Sequence, residues 1–164
     1  MNDIVMRRAQ RADVPTLVAM LADDHLGRQR ETYQLPLPAC YGAAFDAIER
    51  DPNQELMVAT RGGETVGMLQ LTFTPSISRH GGWRATIESV RVAARWRAGG
   101  IGSQMLRWAI GRARERSCAL VQLSSDKTRV DAIRFYERLG FHASHQGMKL
   151  ALDAIDSRVD DERA

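Results

Sequence analysis

A glycine-rich segment with the residue types of an anion-binding turn runs through residues 97–102 and reads Arg-Ala-Gly-Gly-Ile-Gly. It follows a strand-like run at residues 85–92 and precedes an amphipathic helical pattern at residues 103–116. A turn in this position leaves backbone N–H groups free at the positive end of the helix dipole, where phosphate is the usual anion. The segment therefore predicts a phosphate site, although such a turn can also serve only to bend the chain.

Spacing argues against two well-known phosphate-binding patterns. A dinucleotide site needs G-x-G-x-x-G after a first strand and an acidic residue about 20 positions later. The glycines here are Gly99, Gly100 and Gly102, which do not fit that spacing. The P-loop pattern needs a Gly-Lys pair, and the sequence contains none. The neighbouring segments must therefore decide what the turn binds.

Length and composition indicate a globular protein. The chain has 164 residues, which suits one domain with a real core, and its 44% hydrophobic and 26% charged residues are ordinary values. No apolar run approaches the roughly 20 residues that cross a bilayer. The first residues lack the apolar core of a signal peptide. We therefore expect a cytoplasmic protein without a membrane partner, and a polar C-terminal tail at residues 153–164.

The charge balance favours small anionic ligands over nucleic acid. The chain carries 23 basic and 20 acidic residues, a net charge of +3, and only two of the basic residues are lysines, Lys127 and Lys149. No basic run with interleaved aromatic residues suggests a nucleic-acid groove, so we expect no nucleic-acid partner. Cys40 and Cys118 lack metal-type spacing and are predicted to be reduced core residues. The four histidines are not grouped like metal ligands, so we predict no metal.

Hydrophobic periodicity predicts alternating strands and helices. The predicted strands are residues 4–9, 55–61, 65–74, 83–92, 119–123 and 148–152. The predicted helices are one with Asp13 as its cap and Pro15 in its first turn, and residues 39–50, 103–116 and 129–139. A glycine pair at residues 62–63 predicts a hairpin. The order predicts a mixed α/β sheet with helices on its faces.

Two motifs lie on either side of the helix at residues 103–116. The first reads IESVRV at residues 87–92 and continues into the Arg-x-x-Gly-x-Gly pattern of the turn. The second reads DAIRFYERLGF at residues 131–141. Together they resemble the GNAT superfamily of N-acetyltransferases. The resemblance implies a single-domain α/β (α+β) fold over residues 1–152, with a mixed, mostly antiparallel sheet of about six to seven strands flanked by about four helices.

The resemblance also implies acetyl-CoA as the acyl donor. The turn would bind its diphosphate through backbone N–H groups, with the Ser103 hydroxyl adding a contact. The pantetheine arm would pair with the strand before the turn, like an added β-strand. The implied cofactor-binding residues are Val90, Arg91, Val92, Arg97, Ala98, Gly99, Gly100, Ile101, Gly102 and Ser103.

An irregularity is predicted in the strand at residues 83–92. Ile87 and Val90 are both apolar, yet residues three positions apart cannot lie on the same face of a regular strand. A β-bulge between them would splay the strand and open a slot for the donor.

Amine acetylation requires a base for the ammonium group, a donor to the developing oxyanion and an acid for the leaving thiolate. Glu88 lies where several GNAT enzymes carry a glutamate base, acting directly or through water. Alternatively, Glu88 is a solvent-facing strand residue or a salt-bridge partner of Arg84 or Arg91. Tyr136 matches the family's tyrosine near the thiol sulfur, and its phenol, with a pKa near about 10, suits a thiolate. Alternatively, Tyr136 is a residue of the hydrophobic core.

The backbone N–H near Val92 would donate to the oxyanion. The chain departs from the family at Arg129, where many members have an asparagine that contacts the pantetheine arm. Ser124, Ser125 or Asp126 could take over that contact.

The acceptor pocket of this fold lies between the first two helices, the loop before the long strand and the last strands. Asp24 and Glu31 could bind an amine, and Arg30 or Arg79 could bind a carboxylate, with Trp83 contributing from the loop at residues 75–83. The alternative for each is a solvated surface residue.

These patterns predict an N-acetyltransferase that acts on a small-molecule primary amine by direct attack in a ternary complex. Acetylation of a protein or aminoacyl-tRNA amine is one alternative. A non-catalytic acyl-CoA-binding or sensing module is another. The resemblance also suggests a homodimer.

Overall fold

The computed structural model of the chain describes residues 4–23 and 27–152. Asp24 and the predicted tail at residues 153–164 lie outside these residues. The chain divides after Ser124 into two compact units. Within the described residues, the first unit contains the sheet and four helices, and the second contains one helix.

The sheet of the first unit has five strands among the described residues. They are β1 (Val5–Arg8), β2 (Gln54–Arg61), β3 (Glu64–Thr74), β4 (Trp83–Val92) and β5 (Cys118–Leu123). Their spatial order follows the chain, and every neighbouring pair is antiparallel except β4 and β5, which are parallel. The predicted mixed, mostly antiparallel sheet is confirmed, but the predicted count of six to seven strands is too high.

The strand predicted at residues 148–152 is not a strand in the structure. Alternating apolar residues produced that prediction, but Met148, Leu150 and Leu152 are 93%, 75% and 74% exposed. A strand pattern is stabilised only when its apolar side is buried, and that condition is not met here.

Five helices are present in the described residues. They are α1 (Val14–Ala22), α2 (Ala39–Arg50), α3 (Ser78–Gly81), α4 (Ile101–Glu115) and α5 (Val130–Glu137). The helix predicted at residues 39–50 is confirmed, and α4 begins two residues before the predicted start. The four-residue α3 lies in a predicted loop and is a turn with left-handed backbone, since Arg79 has φ 55° and His80 has φ 58°.

The core of the first unit lies on both faces of the sheet. Helix α4 covers the face of Leu69, Leu71 and Phe73, and the missing side chain of Gly67 allows Met105 to approach. Helices α1 and α2 cover the other face of β2 and β3, where Val58 belongs to the buried cluster under α1. Each fully buried aliphatic or aromatic side chain contributes about 1.5–3 kcal/mol.

A buried ion pair joins α4 to the sheet. Glu55 of β2 is 2% exposed and accepts hydrogen bonds from Nε and Nη2 of Arg112, the latter at 2.7 Å. Arg8 of β1 lies 3.3 Å from the same carboxylate. The hydrogen bonds to Glu55 raise the pKa of Arg112 above its ordinary value. The charge of Glu55 is therefore compensated by two guanidinium groups.

Asp13 does not cap α1 as predicted. Its side chain makes no capping hydrogen bond to α1 and instead accepts one from the N–H of Gln10 at 2.7 Å. The Arg7 guanidinium donates to both carboxylate oxygens, at 2.7 and 2.9 Å, and holds the pKa of Asp13 below its usual value. Asp13 therefore closes the single 3-10 turn that precedes the helix.

Candidate active site

The glycine-rich turn leads directly into α4, which begins at Ile101. Ala98 has φ 64° and Gly100 has φ 77°, so both adopt left-handed backbone and the chain reverses sharply into the helix. The N–H of Gln104 bonds to the carbonyl of Gly100 at 3.1 Å. Within the described residues, the N–H groups of residues 98–103 donate to no other group. They are the free donors at the positive end of the helix dipole that an anion requires.

The surroundings of Gly100 fit a phosphate. A Cβ built on Gly100 would meet nothing within 4 Å, so the space above its backbone is open. Glycine is required here by the positive φ rather than by crowding. Open space, free N–H donors and a helix N-terminus are together the properties of a diphosphate-binding turn.

The Arg97 side chain lies against the end of β4 and the end of α1. Its Nε donates to the carbonyl of Val92 at 3.1 Å, and its Nη2 donates to Asp23 at 2.8 Å. Arg97 therefore links the turn to the last residue of β4 and to the residue that follows α1.

The predicted bulge is present in β4. Glu88 pairs with Gln70 and Arg91 pairs with Met68, so two residues of β4 lie opposite one residue of β3. Ser89, one of the two, has φ 53°. The extra residue bends the strand, as β-bulges do. Pairing with β5 extends only as far as Ile87 and Leu123, so within the described residues β4 has an open edge, without a strand partner, after the bulge.

Backbone groups of Val92 face this open edge. The N–H of Ala93 bonds to Val66 of β3 at 2.9 Å, and neighbouring residues of a strand direct their backbone groups to opposite sides. The carbonyls of Val90 and Val92 accept hydrogen bonds from Arg91 Nη1 at 2.9 Å and from Arg97 Nε. The Val92 N–H therefore points into the slot.

Glu88 lies on the exposed side of β4, directly before the bulge. It alternates with the buried residues Ala85 and Ile87, so its carboxylate points to the opposite face of the sheet. In the described parts of the chain, Glu88 forms no ion pair, and the alternative of a salt bridge to Arg84 or Arg91 is not observed. Glu88 is thus an exposed carboxylate beside an open strand edge.

Polar residues from four strands form one continuous surface beside Glu88, which we name the polar face. Gln70 and Thr72 both donate to Gln54 Oε1 at 2.9 Å, and Gln122 donates to Thr86 at 3.2 Å. The members of the polar face are Gln54, Gln70, Thr72, Thr74, Arg84, Thr86, Glu88 and Gln122. Apart from Glu88 these residues were not selected from the sequence, although the alternation of polar residues along β3 and β4 could have indicated them.

Tyr136 belongs to the second compact unit and lies on α5. It is partly buried between Phe135 and Phe141, whose ring centroids lie 5.3 and 6.0 Å from its own. Gly140 follows α5 with φ 90°, and its N–H bonds to Glu137 at 2.9 Å, as expected at a helix end. The packed rings hold the tyrosine in a defined orientation.

The predicted acceptor residues lie in separate segments. Glu31 accepts a hydrogen bond from the Tyr41 hydroxyl at 3.1 Å, and burial together with this carboxylate raises the pKa of Tyr41. Arg79 is exposed in the left-handed turn, and Trp83 is the first residue of β4. No hydrogen bond or ion pair joins Glu31 to Arg79 or Trp83 within the described residues, and Asp24 lies outside them.

The cysteines are both free. Cys40 is exposed, so the prediction that it is a core residue is wrong, because it lies on the outer side of α2. Cys118 is partly buried, and burial raises the pKa of its thiol. Among residues 4–23 and 27–152, His, Cys, Asp and Glu side chains form no group of three or more that could bind a metal ion. No helix in this part of the chain has the length and apolar character needed to cross a bilayer.

A family comparison agrees with these features. The acetyltransferase (GNAT) family model matches residues 20–141, which include the bulged strand, the glycine-rich turn and the helix of Tyr136. The chain belongs to the GNAT acetyltransferase family. Members of the GNAT family use acetyl-CoA, and this chain is accordingly an acyl-CoA-dependent N-acetyltransferase.

Two curated GNAT relatives are N-acetyltransferases by name. The aminoalkylphosphonate N-acetyltransferase of Salmonella typhimurium is 34% identical over 140 residues, 85% of this chain and 86% of the relative. The glucosamine 6-phosphate N-acetyltransferase of Trypanosoma brucei brucei is 32% identical over 90 residues, 55% of this chain and 59% of the relative.

Among solved structures, a Bacillus halodurans protein described as a transcriptional regulator is 55% identical and superposes with a TM-score of 0.89. The match covers 92% of this chain and 100% of that chain. This likeness extends the GNAT fold over nearly the whole chain.

Proposed function

We propose that this GNAT protein transfers an acetyl group from acetyl-CoA to the primary amine of a small molecule, by direct attack within a ternary complex. The observation that carries the proposal is the open edge of β4 between an unpaired carboxylate, Glu88, and the free N–H groups of residues 98–103. Both curated relatives act by name on amines that carry a phosphonate or phosphate group. Such amines are therefore the first acceptors to test.

Backbone groups form most of the proposed acetyl-CoA site. The N–H groups of residues 98–103 bind the diphosphate, and the Ser103 hydroxyl adds a donor. Val90, Arg91 and Val92 pair with the pantetheine arm along the open edge of β4. Bound acetyl-CoA supplies the thioester carbonyl that the amine attacks. The Val92 N–H, which points into the slot, donates to the oxygen that gains negative charge.

Glu88 acts as the base. Its carboxylate accepts the proton that the acceptor's ammonium group must lose, directly or through one water, so that the free amine can attack. Its exposure and its lack of an ion pair in the described residues support this role, because a carboxylate held by an arginine would be a weaker base.

Tyr136 acts as the acid. Its hydroxyl donates a proton to the leaving thiolate and is reprotonated from solvent after product release. The position of Tyr136 in the second family motif supports this assignment, as does the aromatic packing that orients its ring.

Thiol release from acetyl-CoA, measured over a panel of amines, tests the proposal. We expect Glu88→Gln to lower kcat/KM by about 100-fold or more and Tyr136→Phe to lower kcat with little change in the KM for acetyl-CoA. Glu115→Gln, which removes an exposed carboxylate of α4, serves as the control and should keep full activity. Unchanged turnover in both site variants would refute the catalytic roles, and an absence of acetyl-CoA binding by calorimetry would refute the donor site.

A regulatory role is the second candidate, because the Bacillus halodurans protein described as a transcriptional regulator is 55% identical. An acetyl-CoA sensor would bind the donor without turnover on any small amine. Amine-dependent thiol release therefore separates the two candidates, and the same assay with a peptide or an aminoacyl-tRNA tests the macromolecular acceptors.

A further inference from the structure

Among the residues that the structure describes, Arg84 is a partly buried cation without a counter-ion. It is the second residue of β4, and its Nε is buried without a hydrogen-bond partner. Within residues 4–23 and 27–152 no carboxylate forms an ion pair with it. A buried charged donor left without an acceptor is costly, so an anion that reached this guanidinium would bind favourably.

The surroundings of Arg84 on the polar face are neutral. In the sheet register Arg84 lies opposite Thr74, and Thr86 lies opposite Thr72. The hydroxyl of Thr72 already donates to Gln54, but those of Thr74 and Thr86 can donate hydrogen bonds to an anion. Arg84 and Glu88 are the charged members named for the polar face, and Arg91, opposite Met68 beyond the bulge, adds a cation on the same side of the sheet at the Glu88 end.

Arg84 and Glu88 lie on the same side of β4, four residues apart. At about 3.3 Å per residue their Cα atoms are about 13 Å apart along the strand. Their long side chains can therefore contact opposite ends of one small molecule, with the ammonium group at the carboxylate and an anionic group at the guanidinium. A planar guanidinium binds phosphonate, phosphate and carboxylate oxygens in pairs, and a neutral amine offers it nothing equivalent.

We propose that Arg84 binds the anionic group of the acceptor and selects amines that carry a phosphonate or phosphate. The assignment rests on the proposed function, since it needs the acceptor amine at Glu88. It adds a specificity-determining residue on β4 that neither family motif contains.

The test compares acceptors of similar length in wild type, Arg84→Gln and Arg84→Lys. The acceptors are 2-aminoethylphosphonate, β-alanine and propylamine, and kcat and KM are measured separately for each. We expect Arg84→Gln to raise the KM for 2-aminoethylphosphonate roughly ten- to hundredfold with kcat nearly unchanged. The KM for propylamine should not change, and Arg84→Lys should be intermediate. Arg114→Gln, on the exposed side of α4, is the matched control and should resemble wild type.

Several outcomes would overturn the assignment. An equal loss with propylamine would mean that Arg84 supports the fold, and an unchanged KM for 2-aminoethylphosphonate would remove Arg84 from the acceptor site. A larger effect on β-alanine would mean that a carboxylate, and not a phosphonate, is recognised. If thermal unfolding shows that Arg84→Gln does not fold, Arg84→Lys replaces it in the test. A severalfold rise in its KM for 2-aminoethylphosphonate supports the assignment, and an unchanged KM overturns it.

A failure of the proposed function can be distinguished from a failure of the Arg84 assignment. If wild type acetylates no amine, the proposed activity is wrong, and Arg84 is then tested by phosphorus NMR titration of 2-aminoethylphosphonate with acetyl-CoA present. Binding to wild type that is lost in Arg84→Gln supports the assignment. Equal binding to both proteins, or no binding to wild type, overturns it.

Discussion

The carboxylate of Glu55 on β2 accepts hydrogen bonds from Nε and Nη2 of Arg112 on α4, at 3.0 and 2.7 Å. Glu55 is 2% exposed, so removing it leaves Arg112 without its buried partner. We expect Glu55→Ala to lower the free energy of unfolding by about 3 kcal/mol in urea denaturation. Glu115 binds the same arginine at 2.9 Å but is 67% exposed. Glu115→Gln should therefore cost less than about 1 kcal/mol. Equal effects of the two changes would contradict this prediction.

Gly67 and Gly111 provide a matched pair for the packing of α4. A Cβ on Gly67 would lie 2.6 Å from Met105 Sδ and 3.0 Å from the backbone oxygen of Arg91, which cannot move freely. We expect Gly67→Ala to destabilise the protein by about 1–3 kcal/mol. Gly111 lies within α4 and a Cβ there would meet nothing within 4 Å. Gly111→Ala should stabilise by about 0.5–1 kcal/mol. Thermal and urea unfolding measure both, and a destabilised Gly111→Ala would argue against this geometry.

Alanine substitutions at Gly100 and Gly63 distinguish the effect of backbone strain on stability from an effect on ligand binding. Both have positive φ, 77° and 84°, and a Cβ on either would meet nothing within 4 Å. Alanine at each position should therefore cost a similar free energy of unfolding, about 1–2 kcal/mol. Only Gly100→Ala should weaken acetyl-CoA binding in calorimetry, by about tenfold, because its methyl group occupies the space above the turn. Similar affinities in the two variants would place the diphosphate elsewhere.

The Asp13 carboxyl makes stability depend on pH. Arg7 lowers its pKa in the folded state, so its contribution is fully present above the unfolded-state pKa of about 3.9 and is lost as the pH falls through the lower folded-state value. We expect wild type to exceed Asp13→Asn in stability by a constant amount from pH 7 to about pH 5. The difference should shrink below about pH 4. Urea denaturation at several pH values measures it, and a difference that persists at the lowest pH would show that the ion pair is not its source.

The shape of the glycine-rich turn and the bulge in β4 could be predicted from the sequence because neighbouring residues determine both. The left-handed backbone at Gly100 follows from the glycine itself, and the bulge at Ser89 follows from the spacing of Ile87 and Val90. Both features lie within a short stretch of chain, where residue type and spacing act directly on the backbone.

The polar face could not be predicted in the same way because it depends on strand pairing. Thr72 and Thr86 become neighbours only through the register of β3 and β4. The contact of Arg97 with Asp23 joins residues 74 positions apart. The sequence alone does not distinguish a buried polar residue on a strand from a solvated one, so it indicated Arg84 only as an alternative salt-bridge partner of Glu88, and the burial of its Nε is a feature of the structure.

The open edge of β4 has a consequence for the protein's behaviour at high concentration. Exposed strand edges are templates for pairing with a second chain, which leads to aggregation. Here the outward carbonyls of Val90 and Val92 already accept hydrogen bonds from Arg91 and Arg97, and the left-handed Ser89 interrupts the strand. The two guanidinium groups add positive charge to an edge only a few residues long. With these carbonyls occupied, Val90 and Val92 offer a second chain no free acceptor, so strand pairing between copies of the protein is disfavoured at this edge.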